Sequence, residues 1–243
     1  MEIKGIETLK GLATLAFEQL RADILLGHLR PDERLRIQSL SDRYKVGATA
    51  IREALSRLVS DGLVDFEDQR GFCVSPVSRD ELLDLTQVRV DIESLAMRHA
   101  VQNGSLEWES NLLSAFHRLS KTPPPTLPEM HMNWADAHRQ FHEALVAGCG
   151  SPWLVRLCRL LYDKSERYRN VAERSASSAN RDTYDEHKTL LDAAMERDAD
   201  LFSHHLAKHY GQTTSIILAT NFKDTAETGK LAARRVPNKV PTT

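Results

Sequence analysis

Between residues 10 and 27, apolar side chains recur at Ala13, Phe17, Leu20 and Ile24, the i, i+4, i+7, i+11 series of an amphipathic helix. Gly27 lies near its end and Pro31 blocks continuation. A short helix is expected over 38–44, with Gly47 in the turn behind it. Another follows over 49–61, with Ile51, Leu55, Leu58 and Val59 on one face. The period changes after Asp61-Gly62. Leu63, Val64 and Phe66, then Phe72, Val74 and Val77, read as two short strands joined by an Asp-Gln-Arg-Gly turn. Ser75-Pro76 ends this hairpin, and Ser78 with Glu81 three residues on forms a capping box for the next helix. From there to about 222 the pattern is helical. Leu82, Leu85, Val88, Ile92, Leu95 and Ala96 mark the first helix, and others cover roughly 105–120, 127–149, 151–174, 178–197 and 199–220. The breaks are Asn103-Gly104, Pro123–Pro125, Gly148–Pro152 and the Ser/Ala/Asn-rich run 175–180.

The expected fold is therefore mostly α. A winged helix-turn-helix occupies 1–78, an all-helical bundle 79–222, and a tail over 223–243 with almost no apolar face is expected to be disordered. Helix, short helix, tight turn, helix and hairpin is the winged order. It is equally the order of a three-helix core with a capping hairpin that binds nothing. Composition permits a buried core, at 41% apolar and 27% charged residues. No segment has the ~18–20 uncharged apolar residues that cross a bilayer, and charges interrupt the first twenty residues where a signal peptide would be apolar. Cys73, Cys149 and Cys158 have no CxxC spacing, so neither a disulfide framework nor a zinc knuckle is expected. A cytoplasmic location follows.

Charge alone does not indicate DNA. The chain carries a net −2, and residues 1–78 hold 11 Lys and Arg against 12 Asp and Glu. Placement is more informative. Thr49, Arg52, Ser56 and Arg57 fall on the polar face of the second helix of the helix-turn-helix, where side chains reach bases and phosphates. Arg70 and Gly71 fall at the hairpin tip, where an arginine suits the negative minor groove and a glycine permits close approach.

The stretch SLSDRYKVGATAIREALSRLVSDGLVDFEDQRGFCV (39–74) resembles the DNA-binding signature of GntR-family transcription factors. Arg52-Glu53-Ala54-Leu55, Leu58, Gly62-Leu63-Val64 and Arg70-Gly71-Phe72 with Val74 carry the match. The helical remainder resembles the FCD effector domain of the FadR subfamily. WADAHRQFHEALVAGCGSPWL is most similar to CsiR-type repressors, which control glutarate and 2-hydroxyglutarate utilisation. The resemblance spans about residues 10–220. It implies a homodimeric repressor of a double-stranded DNA operator, released by a small carboxylate effector. Two departures stand out. Gly47-Ala48-Thr49-Ala50 replaces the family's Ser-Arg-Thr/Ser-Pro, and Gln38 stands where some relatives have arginine. Fewer charged DNA contacts are expected, and Gln38 is a neutral DNA-contact candidate.

His138 and His142 lie one helical turn apart, which alone says only that two imidazoles share a face. The resemblance implies more. FCD domains bind a divalent metal ion through Asp-x-x-x-His and two later histidines. His142, His187 and His209 match the histidines, and His138 stands at the aspartate. Such an all-nitrogen set suits Zn or Ni better than Mg or Ca. The ion would hold one end of a carboxylate effector. Arg89 matches the family's arginine and could take the other end, or it could pair with Glu93 one turn on. Arg167 and Tyr168 are weaker candidates, because Arg167, Tyr168 and Arg169 cannot all face inward. Trp134 and Trp153 are expected to pack, and His204 and His205 to face solvent or an interface.

An enzyme is not expected. A zincin helix would have glutamate where Arg139 stands, and Glu143 would point about 100° from the ion-facing side. Neither a nucleophile elbow nor a glycine-rich phosphate loop is present. The rival readings are a regulator whose signal is the ion itself and an all-helical metalloenzyme.

Overall fold

The structure, a computed structural model, describes residues 2–123, 131–173 and 182–219. The tail beyond 222 and the 175–180 break lie outside the described residues. The amino-terminal unit runs α1 (Glu2–Leu25), β1 (Arg34–Leu35), α2 (Ile37–Tyr44), α3 (Ala48–Ser60), β2 (Val64–Glu67) and β3 (Gly71–Val74). Ala13, Ala16, Leu20 and Ile24 of α1 are buried in one cluster with Ile51, Ala54, Leu55 and Leu58 of α3. This is the face the 3.6-residue period predicts. Between α2 and α3, Lys45 adopts a left-handed conformation at φ 58, and the Ser41 hydroxyl donates to the Val46 carbonyl at 2.5 Å.

The sheet is antiparallel in the order β1-β3-β2, with Phe66 opposite Phe72 and Glu67 opposite Gly71. At the wing tip Gln69 and Gly71 both have positive φ, 65 and 80, as a tight hairpin turn demands. β1 is an addition to the sequence reading: two residues are too few to show an alternating pattern, and they pair through Arg34–Cys73 and Leu35–Phe72. The second wing strand stops at Val74 and not Val77. Pro76 has no N–H to extend the ladder, and Val77 is instead buried with Leu82, Tyr168 and Ile217.

The second unit comprises α4 (Arg79–Asn103), α5 (Leu106–Lys121), α6 (His131–Ala147), α7 (Pro152–Glu173), α8 (Thr183–Met195) and α9 (Ala199–Ala219). Ser78 caps α4, its hydroxyl accepting from the Glu81 N–H at 3.0 Å. The reciprocal half of the capping box is not used, because the Glu81 carboxylate takes the Tyr168 hydroxyl instead. The buried face of α4 also differs from the expected one. Leu82, Leu85, Arg89, Glu93, Ala96, Met97 and Ala100 are buried, while Leu83, Val88 and Leu95 are exposed. A buried ion pair, Arg89–Glu93, lies on the inner face, so the apolar pattern placed Leu82, Leu85 and Ala96 correctly but turned Val88 and Leu95 inward in place of Arg89 and Glu93. Trp108 lies against Gly104 and Gly148, where an added Cβ would come within 2.2 and 2.9 Å of its ring, and its indole N–H donates to the Ala144 carbonyl.

The carboxyl half of α7 joins the two units. Asn170 donates to the Leu25 carbonyl at 2.6 Å, Lys164 to the Gly62 carbonyl, and Arg167 to the Pro76 carbonyl at 3.2 Å.

Candidate DNA-binding face and histidine cup

On the head, Gln38, Thr49, Arg52 and Ser56 are exposed. The Ser56 hydroxyl donates to the Arg52 carbonyl at 2.9 Å, and Gln38 donates to Asp42 at 3.2 Å. Arg57 is different. Its guanidinium lies 4.0 Å from the Phe17 ring centroid and donates to Thr14, so it is used on α1 and is not extended toward a groove. Arg70 is 69% exposed at the wing tip and paired with Glu67 at 3.1 Å, a surface pair that a phosphate can displace at little cost. At Gly71 nothing lies within 4 Å of where a Cβ would stand, so its positive φ alone calls for glycine. Sequence reasoning did not single out Arg36 or Lys45, both exposed, at the two ends of α2.

In the second unit, α6, α8 and α9 bring four histidines together. His138, His142, His187 and His209 are all buried, and one ligand nitrogen from each lies within 4.8 Å of the others. Burial first, and then the neighbouring imidazoles and the Arg169 and Arg89 guanidiniums, hold His138 and His142 well below the ordinary histidine pKa. Both are neutral at physiological pH, as a ligand must be.

Hydrogen-bond partners fix the tautomers. His187 Nδ1 meets the Thr183 carbonyl, which can only accept, so Nδ1 carries the proton. His209 Nδ1 meets the Glu186 carboxylate at 2.6 Å, with the same result. The Tyr210 hydroxyl donates to Glu93 at 2.5 Å and accepts from Arg89 at 2.6 Å, so His142 Nδ1, at 3.3 Å, is also a donor. Each of the three therefore keeps its lone pair on Nε2. His142 Nε2 is buried and has no hydrogen-bond partner among the described residues. Three anchored imidazoles that carry their protons on Nδ1 suit a borderline divalent cation through Nε2.

His138 has the opposite polarity. Its Nδ1 lies 3.2 Å from Arg169 Nη1, and a guanidinium can only donate. The Tyr162 hydroxyl is 2.8 Å from the same nitrogen. In the neutral ring Nε2 then carries the proton, so His138 shares the cluster without presenting the same lone pair.

Beside the cup, Arg89 is buried and donates to Glu93 at 3.0 Å, Ser165 at 2.8 Å and Tyr210 at 2.6 Å. The i+4 pair with Glu93 and a position on the cup's flank thus hold together. With Thr86, Ser165, Arg169, His209 and Thr214, Arg89 lines a cavity of about 10 Å³, room for about one water. Arg167 and Tyr168 do not line it. They are turned onto Pro76, Ser78 and Glu81 at the joint between the units, and Arg169, one residue on, faces the cup. Asp136 is exposed and accepts from Gln140, and the carboxylate behind a cup histidine is Glu186. Trp134 stacks on His138 at 4.6 Å, but Trp153 is 72% exposed, with Arg156 over its ring, and is not a core residue. His204 is exposed. Arg139, at the zincin glutamate position, is paired with Asp163 and Glu166, and Glu143 is paired with Arg159.

Two family descriptions match this architecture: "Bacterial regulatory proteins, gntR family" over residues 12–74, and "FCD domain" over residues 84–212. The chain belongs to the GntR family of bacterial regulators. It is 39% identical over 215 residues to the HTH-type transcriptional regulator BphR of Paraburkholderia xenovorans (strain LB400), covering 87% of each. It is 36% identical over 197 residues to the HTH-type transcriptional repressor GlaR of Escherichia coli (strain K12), covering 79% of this chain and 90% of that one. In fold, it resembles the solved structure of E. coli McbR/YncC, with a TM-score of 0.72 at 22% identity over 85% of this chain and 97% of that one. A GntR regulator from Rhodococcus sp. RHA1 is similar, with a TM-score of 0.69 at 21% identity over 87% and 99%. The amino-terminal unit is thus a GntR DNA-binding domain and the helical unit an FCD domain. Among the described residues no helix is long and apolar enough to cross a membrane.

Proposed function

We propose that this GntR regulator is a metabolite-responsive repressor that acts as a homodimer on an inverted repeat in double-stranded DNA. His142, His187 and His209 would hold a zinc or nickel ion through Nε2. The bound ion would supply an open coordination position for one carboxylate of a small acid, of the glutarate or 2-hydroxyglutarate class that the resemblance implies. Arg89 and Arg169 are the cations nearest a second carboxylate on the Thr86–Thr214 side. The observation that supports the reading is His142 Nε2, a buried nitrogen with no hydrogen-bond partner among the described residues. The name of the E. coli relative supports repression over activation.

The cavity as it stands accommodates about one water, so a five-carbon diacid enters only if α4 and α9 part around Thr86 and Thr214. That parting is the change a repressor can use, because both helices pack on α7 at the joint. Gel shifts on DNA from the gene's own neighbourhood, with zinc and with each diacid, test the reading. Retardation by zinc-loaded protein and its loss with a diacid are expected. No retardation under any condition contradicts the proposal.

The small cavity favours one second reading, in which the ion alone is the signal. Release of DNA by a chelator without any organic acid would select it.

A further inference from the structure

A second chain of polar contacts leaves the cup toward the DNA-binding head. It starts at His138 Nδ1, which accepts from Arg169 at 3.2 Å. Arg169 also lies 3.6 Å from Glu166. Glu166 is paired with Arg139, and Arg139 reaches Asp163 at 2.5 Å with its other nitrogen. Asp163 is paired in turn with Arg21 of α1, on the head itself. Six residues on three helices thus connect one imidazole of the cup to the helix that supports α3.

We propose that this ion-pair chain is the device by which a change at the cup reaches the DNA-binding head, with Arg169 and Arg139 as positioning residues. The inference rests on the proposed ligand-binding role of the cup. Its physical basis is competition for shared partners. Arg139 divides its guanidinium between two carboxylates, and Glu166 is claimed by two guanidiniums. An ion held by His142, His187 and His209 repels the His138 Nε2–H and turns that ring, and a carboxylate draws Arg169 away; either removes the same contact. Arg169 then bears on Glu166 differently, Arg139 shifts toward Asp163, and the acceptor used by Arg21 changes. Screening is weak along the chain, since the side-chain exposures run 8% at Glu166, 14% at Arg169, 19% at Asp163, 23% at Arg139 and 27% at Arg21.

Three other described contacts at the joint do not begin at the cup. Asn170 to Leu25, Lys164 to Gly62 and Arg167 to Pro76 all end on backbone carbonyls. They hold the units together without reporting on the histidines. Arg21, by contrast, lies one residue beyond Leu20, which is buried with the apolar face of α3. A displacement of α1 therefore carries the recognition helix with it.

The test uses the full chain, zinc alone as probe, and hydrogen exchange of the backbone amides of 14–25. Zinc affinity is read on the same samples from the fluorescence of Trp134, which is stacked on His138. In the natural chain zinc should change exchange over α1 by about fivefold or more, and in Arg21→Gln by less than about twofold, given the usual size of coupling between sites. Zinc affinity should be equal in both, and Arg21→Lys should restore the response. Asp163→Asn should behave as Arg21→Gln does, which guards against an effect peculiar to one variant. An undiminished α1 response in both Arg21→Gln and Asp163→Asn overturns the inference, as does zinc binding with no α1 response in the natural chain. Failure of the natural chain to bind zinc removes the cup reading as well, which separates the two failures.

Discussion

Tyr210→Phe isolates one oxygen atom at the meeting point of the cup and its flank. The ring volume stays, so no cavity is made, but the hydroxyl that donates to Glu93 and accepts from Arg89 and His142 is gone. Arg89 keeps Ser165 and Glu93. His142 Nδ1–H is left without its acceptor, and Glu93 Oε2 without its hydroxyl donor. A buried group stripped of its partner costs about 1–3 kcal/mol. Arg89 still neutralises Glu93, which puts the sum for the two groups near the lower end, about 2 kcal/mol. At ~2–4 °C per kcal/mol for a chain of this size, the ion-free protein should melt about 4–8 °C lower. The second effect is on the ion. His142 loses the contact that fixes its tautomer and ring angle, and loss of such a support lowers metal affinity by about 10–100-fold. Competition with a chromophoric chelator measures the affinity and thermal unfolding the stability. Tyr162→Phe serves as control, because Tyr162 contacts His138 and not the three anchored imidazoles through its hydroxyl. Unchanged zinc affinity in Tyr210→Phe, beside a normal melting temperature, would refute the tautomer argument.

Arg52→Ala should cost about 1–3 kcal/mol of operator affinity and relax sequence preference, measured by gel shift at fixed salt. Arg57→Ala should instead lower stability, by about 1 kcal/mol through loss of its packing over Phe17, with sequence preference retained. The pH dependence of the ion-free protein has a fixed sign. His138 and His142 titrate well below their ordinary value in the folded chain, so below about pH 6.5 the unfolded chain binds more protons and stability falls as pH falls, by up to about 1.4 kcal/mol per histidine per pH unit. Denaturant unfolding between pH 7 and 5 should show this loss, and His142→Gln should reduce its slope. A flat profile would contradict the burial of neutral imidazoles.

The elements were legible in the sequence where periodicity was strong. The change from period 3.6 to period 2 at Asp61-Gly62 marks the start of the wing, and the helices of the second unit fall where the apolar spacing puts them. β1 was not legible because two residues carry no period. The middle of the buried face of α4 was misread because a buried arginine and glutamate look polar to any hydropathy argument, though each neutralises the other inside. At the site, the register of His142, His187 and His209 came from the resemblance, while spacing alone gave only an i,i+4 pair. Their orienting partners were hidden, since Tyr210 is 68 residues from His142 and Glu186 serves a histidine 23 residues away. Arg169 could have been preferred to Arg167 and Tyr168 only by knowing the rotation of α7 about its axis. That rotation is set by packing against α4 and by the joint with the head.

X-ray absorption at the zinc edge of the loaded protein tests the central claim most directly. At least three imidazole nitrogens at about 2.0–2.1 Å, completed by oxygen, are expected from His142, His187 and His209. A shell of sulfur, a shell of oxygen alone, or a protein that retains no zinc after loading would contradict the account.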